Sequence, residues 1–159
     1  MSRVIILMGS KTDINHCQKI KQVLDHFQVP NILRIASAHK TPLKALEILK
    51  EYADDNVVFI TVAGRSNALS GFVDANTVHP VIACPPYSDN FSGADIFSSL
   101  RMPSGVCPLV VLYPEQAALA AVKILALSDP SLRDAIARYQ NNMRQEIEAD
   151  DNALQQSRH

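Results

Sequence analysis

Residues 4–13 have the sequence VIILMGSKTD, a short apolar run that ends abruptly in small and polar residues. A non-alternating apolar run of this length is typical of a strand that is buried on both faces in a parallel sheet. Runs of the same form occur at 32–35 and 57–62, and a polar cluster follows each. Because open parallel sheets bind ligands beyond the carboxyl ends of their strands, the three clusters predict a site for a small polar anion.

Strands alternate with helices along the chain. Apolar residues at helical spacing follow the first two clusters, and Asp13 and Thr41-Pro42 stand where a helix should begin. Further strands and helices are expected at 81–84, 109–112, about 67–76, 94–100 and 115–127. The pattern predicts an α/β fold, a three-layer doubly wound parallel sheet in a single domain spanning residues 1–159.

The C-terminal region predicts a helix that follows the domain core. The core is expected at about residues 3–127 and the C-terminal helix at about 130–150, with a frayed tail at 151–159. Residues 115–127 are apolar on nearly every side, which is typical of a buried helix. In a domain this small, that pattern predicts burial against another subunit.

Composition excludes several classes of function. The 159 residues carry a formal net charge of −1, so no basic excess favours nucleic acid or an acidic membrane surface. The three cysteines include no CxxC pair, which argues against a disulfide framework and favours the reducing cytoplasm. We see no signal peptide, no apolar run approaching the roughly 18 residues of a transmembrane helix, and no metal-ligand spacing. We therefore expect a cytoplasmic protein with no metal, membrane or nucleic-acid partner.

The first cluster, Gly9 to Asp13, leaves a strand and enters a helix. Backbone N–H groups at a helix N-terminus favour a phosphate, and Gly9 lets the backbone approach it. Ser10 and Thr12 can donate hydrogen bonds to phosphate oxygens, and Asp13 can accept from ribose hydroxyls. A plain turn with an aspartate N-cap explains the same residues equally well. The segment matches neither the Walker P-loop nor the dinucleotide fingerprint.

The second cluster, Ser37-Ala38-His39-Lys40, places a histidine between a buried strand and a helix. An imidazole there can act as a general acid or base near neutral pH, and Lys40 can hold an anion beside it. A solvated loop histidine is the commoner case for a lone His. The other histidines are weaker candidates: His16, His26, His79 and His159.

The third cluster, Gly64-Arg65-Ser66-Asn67, contains a planar, permanently charged guanidinium that suits a carboxylate or a phosphate. A surface arginine beside a helix cap is the alternative. Cys84 has no base near it in sequence and is more simply a buried structural thiol than a nucleophile. Segments 92–95 and 101–105 either close over the site or merely connect elements.

Five segments, in this order and spacing, resemble the phosphoribosylaminoimidazole carboxylase family of purine biosynthesis. The segments are MGSKTD at 8–13, SAHKTP at 37–42, AGRSNALSG at 63–71, CPP at 84–86 and SSLRMPSG at 98–105. The resemblance covers roughly residues 3–127. It implies a flavodoxin- or Rossmann-like fold, a carboxy-lyase activity on a small ribonucleotide without any cofactor, and a homo-octamer with sites at subunit contacts.

The family has two classes, and two departures favour one of them. The mutase class moves a carboxylate from the carbamate nitrogen to a carbon of the same nucleotide, and it typically carries SAHR and GGAAHLPG segments. This chain has Lys40 in place of that arginine and Ala68 where the second histidine would stand. Both departures resemble the class that carboxylates aminoimidazole ribonucleotide (AIR) with CO2 to carboxyaminoimidazole ribonucleotide (CAIR).

Two alternatives stay open beside this interpretation, namely the mutase reaction and a non-catalytic nucleotide-binding module. The chain resembles a stand-alone enzyme rather than the carboxylase domain of the bifunctional animal enzyme. The resemblance implies that Ser10 and Asp13 bind phosphate and ribose, that His39 is catalytic, and that Gly64 to Asn67 form a class-specific wall. The expected site residues are, for binding, Gly9, Ser10, Thr12, Asp13, Ser37, Ala38, Gly64, Arg65, Ser66 and Asn67, and, for catalysis, His39 and Lys40.

Overall fold

Residues 2–157, which the computed structural model describes, form a five-stranded sheet with helices on both faces. The strands are β1 (Arg3–Met8), β2 (Asn31–Ile35), β3 (Val57–Val62), β4 (Val81–Ala83) and β5 (Leu109–Val110). The helices are α1 (Ile14–His26), α2 (Pro42–Glu51), α3 (Ala68–Asp74), α4 (Phe97–Leu100), α5 (Pro114–Leu125) and α6 (Pro130–Gln156). Two 3₁₀ segments, Lys11–Asp13 and Asn90–Ile96, precede α1 and α4.

The strand order β2-β1-β3-β4-β5 and the parallel pairing confirm the predicted doubly wound α/β fold. From β1 the chain moves outward to β2, then returns across β1 to β3 and continues to β5. This reversal places β1 and β3 side by side, and Met8 pairs with Val62 at their carboxyl ends. Such a switch point is where open α/β sheets bind ligands.

Successive side chains of β1 enter two different cores, which explains the continuous apolar run. Val4, Ile6 and Met8 pack on one face with residues of α1, α5 and α6. Ile5 and Leu7 pack on the other face with residues of α2 and α3. Each fully buried aliphatic side chain stabilises the fold by about 1.5–3 kcal/mol. The middle of the sheet is therefore a rigid base for the loops at its carboxyl edge.

Gly71 lies inside α3, where a glycine weakens helix propensity. The packing supplies a reason for it. A Cβ atom at this position would lie 2.9 Å from the Met102 sulfur, so glycine lets the segment after α4 approach the helix closely.

The helix predicted at 94–100 is helical throughout, but only its second half is α-helical. Residues 90–96 form a 3₁₀ segment, and only Phe97–Leu100 is α-helical. Phe91, Ser92 and Gly93 have φ values of 50°, 54° and 79°, in the left-handed region, which interrupts right-handed helix geometry.

The capping prediction for Asp13 is correct in position but wrong in mechanism. Asp13 precedes α1, yet its side chain makes no capping hydrogen bond. The carboxylate accepts instead from the Ser10 hydroxyl, at 3.4 Å. Asn67 and Asp129, by contrast, cap α3 and α6 through their side chains.

The helix was predicted to end near residue 150 and to be followed by a frayed tail from 151. Both predictions are wrong, because α6 continues to Gln156. Residues 131–157 contain neither proline nor glycine, so nothing in the sequence ends the helix earlier. The last two residues of that predicted tail, 158 and 159, lie outside the described residues. All residues from 141 to 157 are exposed, so the far half of α6 does not pack on its own domain. Within residues 2–157, no helix combines the length and the apolar character needed to cross a membrane.

Candidate functional site

Backbone hydrogen bonds join the three predicted clusters at the carboxyl edge of the sheet. The Gly9 N–H donates to the Val62 carbonyl oxygen (2.9 Å), and the Ala36 N–H donates to that of Met8 (3.0 Å). The next strand end is attached in the same way, since the Cys84 N–H donates to the Thr61 carbonyl (2.8 Å). The structure therefore confirms that the clusters following β1, β2 and β3 are neighbours.

Three side-chain oxygens of the first cluster form a local network. The Ser10 hydroxyl is hydrogen-bonded to that of Thr12 and lies 3.4 Å from a carboxylate oxygen of Asp13. Burial raises the pKa of the Asp13 carboxyl, while the hydrogen bonds from Ser10 and the proximity of His16 act in the opposite direction. A Cβ at Gly9 would lie 3.5 Å from Cβ of Ala63, so the backbone is not tightly enclosed there.

The second cluster is a tight turn held by hydroxyl groups. The Ser37 hydroxyl accepts from the Lys40 N–H at 3.2 Å, and the Ser37 N–H donates to Oγ1 of Thr41 at 2.9 Å. Ala38 is half-buried, whereas His39 and Lys40 are exposed. The turn thus fixes the backbone at His39 and leaves its imidazole open to solvent, where a ligand can reach it.

In the third cluster, both ends of the Asn67 side chain are used inside the protein. Its carbonyl oxygen accepts from the Ser70 N–H at 3.3 Å, and its Nδ2 donates to Oγ of Ser99 at 2.9 Å. Asn67 is 3% exposed and Ser99 is 2% exposed. Asn67 therefore anchors the loop to α3 and α4, a role that its place in the sequence motif did not indicate.

Arg65 has a left-handed backbone, with φ of 60°, and its side chain is exposed. The Ser98 hydroxyl accepts from the Asn67 N–H (3.0 Å) and lies within donating distance of the Arg65 carbonyl (3.0 Å) and the Asp95 carbonyl (2.8 Å). A non-glycine residue in this conformation costs about 1–3 kcal/mol and persists only where its surroundings hold it. Such strain is common where a side chain must be presented to a ligand.

A cavity of about 420 Å³ adjoins the third cluster at the carboxyl ends of β3, β4 and β5. Its lining comprises Gly64, Arg65, Asn67, His16, Lys19, Pro85, Pro86, Tyr87, Ser88, Gly93, Asp95, Ile96, Ser98, Ser99, Leu112, Tyr113 and Pro114. Residues from the first and second clusters, including Asp13 and His39, do not line it. The cavity is mainly apolar, with a few cationic and hydrogen-bonding groups, as small-molecule sites usually are.

His16 is the main cavity residue that the sequence did not single out. It is half-buried and lies three residues after Asp13, and the i,i+3 spacing on a helix puts both on one face. That spacing was the available signal. Among residues 2–157, no group of three or more His, Cys, Asp or Glu side chains is placed to hold a metal ion.

Comparison with known proteins decides the family. The family described as AIR carboxylase matches residues 3–146. This chain belongs to the AIR carboxylase family. It is 59% identical over 152 residues to the phosphoribosylaminoimidazole carboxylase of Archaeoglobus fulgidus, covering 96% of this chain and 84% of that protein. The Treponema denticola enzyme of the same name is 50% identical over 153 residues, covering 95% and 96%.

The likeness to a solved structure covers nearly the whole chain. The crystal structure of Treponema denticola PurE superposes with a TM-score of 0.94 and 49% identity, over 97% of this chain and 99% of that one. This chain therefore shares its overall fold with that solved structure. The family matched is the one that the five sequence segments resembled.

Proposed function

We propose that this protein carboxylates AIR reversibly with CO2 to give CAIR, a step of de novo purine biosynthesis. The observation that carries the proposal is family membership over residues 3–146, together with three polar clusters at the switch point of the sheet. The first cluster offers hydroxyl groups for a phosphate and a carboxylate for ribose hydroxyls. The substrate is thus a small ribonucleotide bound beyond β1 and β3.

The proposed chemistry uses the nucleophilic carbon of AIR, so it needs no metal or organic cofactor. The enamine-like carbon attacks CO2, which gives a tetrahedral carbon bearing both hydrogen and the new carboxylate. His39 then removes that hydrogen as a proton, which restores the aromatic ring. Lys40 supplies positive charge beside the carboxylate that forms. The mainly apolar cavity beside the third cluster suits CO2, which has no net dipole.

Direct use of CO2, rather than the mutase reaction, is supported by Lys40 in the second cluster and by Ala68, which follows the third cluster. Lys40 stands where the mutase class has arginine, and Ala68 stands where it has a second histidine. Ala68 is the first residue of α3 and follows the Asn67 cap. Without an imidazole at that position, the wall offers no second acid or base for transfer from nitrogen to carbon.

Two parallel assays test the choice between the reactions. We expect CAIR to form from AIR with ¹³C-bicarbonate and CO2, with the label in the new carboxylate. The N-carboxylated nucleotide, supplied in the same labelled buffer, should yield CAIR only as it releases AIR, and therefore with label. Turnover of the N-carboxylated nucleotide with unlabelled product, and no turnover of AIR, would identify a mutase. Calorimetric binding of AIR without any product would identify a non-catalytic binding module.

The proposal includes a homo-octamer, which the family resemblance implies, and the large apolar side chains exposed on the isolated chain support association. The most exposed are Val78, Tyr87, Phe91, Leu127 and Leu43, at 96%, 86%, 86%, 78% and 74%. The outer half of α6 also lacks packing partners in its own domain. Burial of these side chains in an assembly would remove apolar surface from water, which favours association.

Light scattering at micromolar protein concentration should give about eight times the chain mass of 17.5 kDa. A monomeric mass would contradict the octamer.

The free cysteines Cys17, Cys84 and Cys107 support the cytoplasm as the compartment, since it keeps thiols reduced.

A further inference from the structure

His16 stands between a buried thiol and the cavity beside the third cluster. Its Nε2 lies 3.3 Å from Sγ of Cys84, which is fully buried at the end of β4. The same sulfur lies 3.8 Å from the carbonyl oxygen of Leu112. His16 lines the cavity, whereas Cys84 does not. One ring nitrogen therefore contacts the protein interior, and the same side chain borders the cavity.

The hydrogen bonds of Cys84 determine which nitrogen of His16 carries the proton. Burial raises the pKa of the Cys84 thiol to about 12, so the sulfur keeps its single hydrogen. A carbonyl oxygen can only accept, so that hydrogen goes to Leu112. The sulfur must then accept from His16, which places the ring proton on Nε2 and leaves Nδ1 as a bare acceptor.

The ring is also held in its uncharged form. Burial lowers the pKa of His16, and the Lys19 ammonium group on the same helix acts in the same direction. The carboxylates of Asp13 and Glu115 and a backbone hydrogen bond with Cys84 act oppositely. An unprotonated Nδ1 can accept a hydrogen bond from an N–H group of a ligand. It repels the oxygens of a phosphate or a carboxylate, because those oxygens carry lone pairs and no hydrogen.

We infer that His16 is a specificity-determining residue whose Nδ1 accepts a hydrogen bond from an N–H group of the ligand in the cavity. The inference rests on the proposed function in one respect, since AIR supplies such a donor in its exocyclic amino group. The cavity shares Gly64, Arg65 and Asn67 with the third cluster, so a ligand bound at that cluster lies against His16. Cys84 is then a positioning residue that fixes the tautomer.

The tautomer can be measured without any substrate. Two-bond ¹H–¹⁵N correlation spectra of the protein labelled at its histidines should show His16 protonated at Nε2. Cys84→Ser keeps a hydroxyl that can accept from the ring and should preserve this pattern, whereas Cys84→Ala should give a mixture of tautomers. A wild-type ring protonated at Nδ1 would overturn the inference, and so would a Cys84→Ala spectrum identical to the wild type.

Specificity is tested by calorimetry with AIR and with imidazole ribonucleotide, which lacks the exocyclic amino group. The wild-type protein should prefer AIR by about three- to tenfold, the usual worth of one hydrogen bond. His16→Gln keeps an N–H donor toward Cys84 but lacks an acceptor at the Nδ1 position, so the preference should disappear. His26→Gln, at an exposed position of the same helix, is the matched control and should retain it.

Equal weakening of both nucleotides by His16→Gln, or an unchanged preference, would overturn the specificity role. If the wild-type protein binds AIR tightly and turns it over without any preference over the analogue, the inference fails while the proposed function stands. If it binds neither nucleotide, the proposed function fails together with the assignment of the donor. The spectra still decide the tautomer in that case.

Discussion

His39→Asn is expected to lower AIR-dependent formation of CAIR by about 100-fold or more, because a positioned acid or base contributes about 10²–10⁴-fold to a rate. The imidazole is exposed and lies in a turn held by Ser37 and Thr41, so the substitution should leave the free energy of unfolding within about 0.5 kcal/mol of wild type. Initial rates at saturating AIR and CO2 measure the effect on catalysis, and denaturant titration measures stability.

The matched control for this experiment is His26→Asn, which removes another exposed histidine outside the clusters and should keep near wild-type rates. A loss of less than about tenfold for His39→Asn would contradict its assignment as the proton acceptor. An equal loss for both variants would point to a general effect of removing a surface imidazole. The pair therefore separates chemistry from solubility or expression effects.

Asn67→Ala is expected to lower the free energy of unfolding by about 2–4 kcal/mol. The loss of the side-chain cap on α3 contributes about 1 kcal/mol. The buried Ser99 hydroxyl, left without its Asn67 partner, contributes a further 1–3 kcal/mol or so. Denaturant titration at one fixed protein concentration measures the change, since association would otherwise alter the apparent stability.

A double-mutant cycle with Ser99→Ala isolates the Asn67–Ser99 contact. Each single substitution leaves one buried polar group unpaired, whereas the double substitution removes both. The double variant should therefore be more stable than the sum of the single changes by about 0.5–3 kcal/mol. Strict additivity would show that the hydrogen bond between Nδ2 and Oγ contributes nothing beyond the cap.

The edge of the sheet was predictable because local pattern and topology agree there. Continuous apolar runs can be buried only where both faces of a sheet are covered, and parallel strands must end at the same edge. The polar residues after Met8, Ile35 and Val62 therefore had to become neighbours once the strand order placed β1 between β2 and β3. The chain could be assigned to its family from the segments at those ends.

The contacts made across the fold could not be predicted from the pattern. His16 and Cys84 lie 68 residues apart, and their pairing depends on the first turn of α1 meeting the residue that follows β4. The left-handed residues at 91–93 are equally hidden, because only one of the three is a glycine. The far end of α6 was misjudged since chain termini commonly fray, whereas its own residues contain no helix breaker.

The left-handed backbone at Arg65 has a consequence for how this sequence responds to selection. Glycine would adopt the same φ without strain, so Arg65→Gly relieves backbone energy while it removes the guanidinium. Mutations that stabilise a protein in this way commonly reduce its activity. Laboratory evolution for heat resistance alone would thus tend to discard the arginine. Its persistence in a lineage is expected only where growth without added purines, or a comparable demand for activity, is selected at the same time.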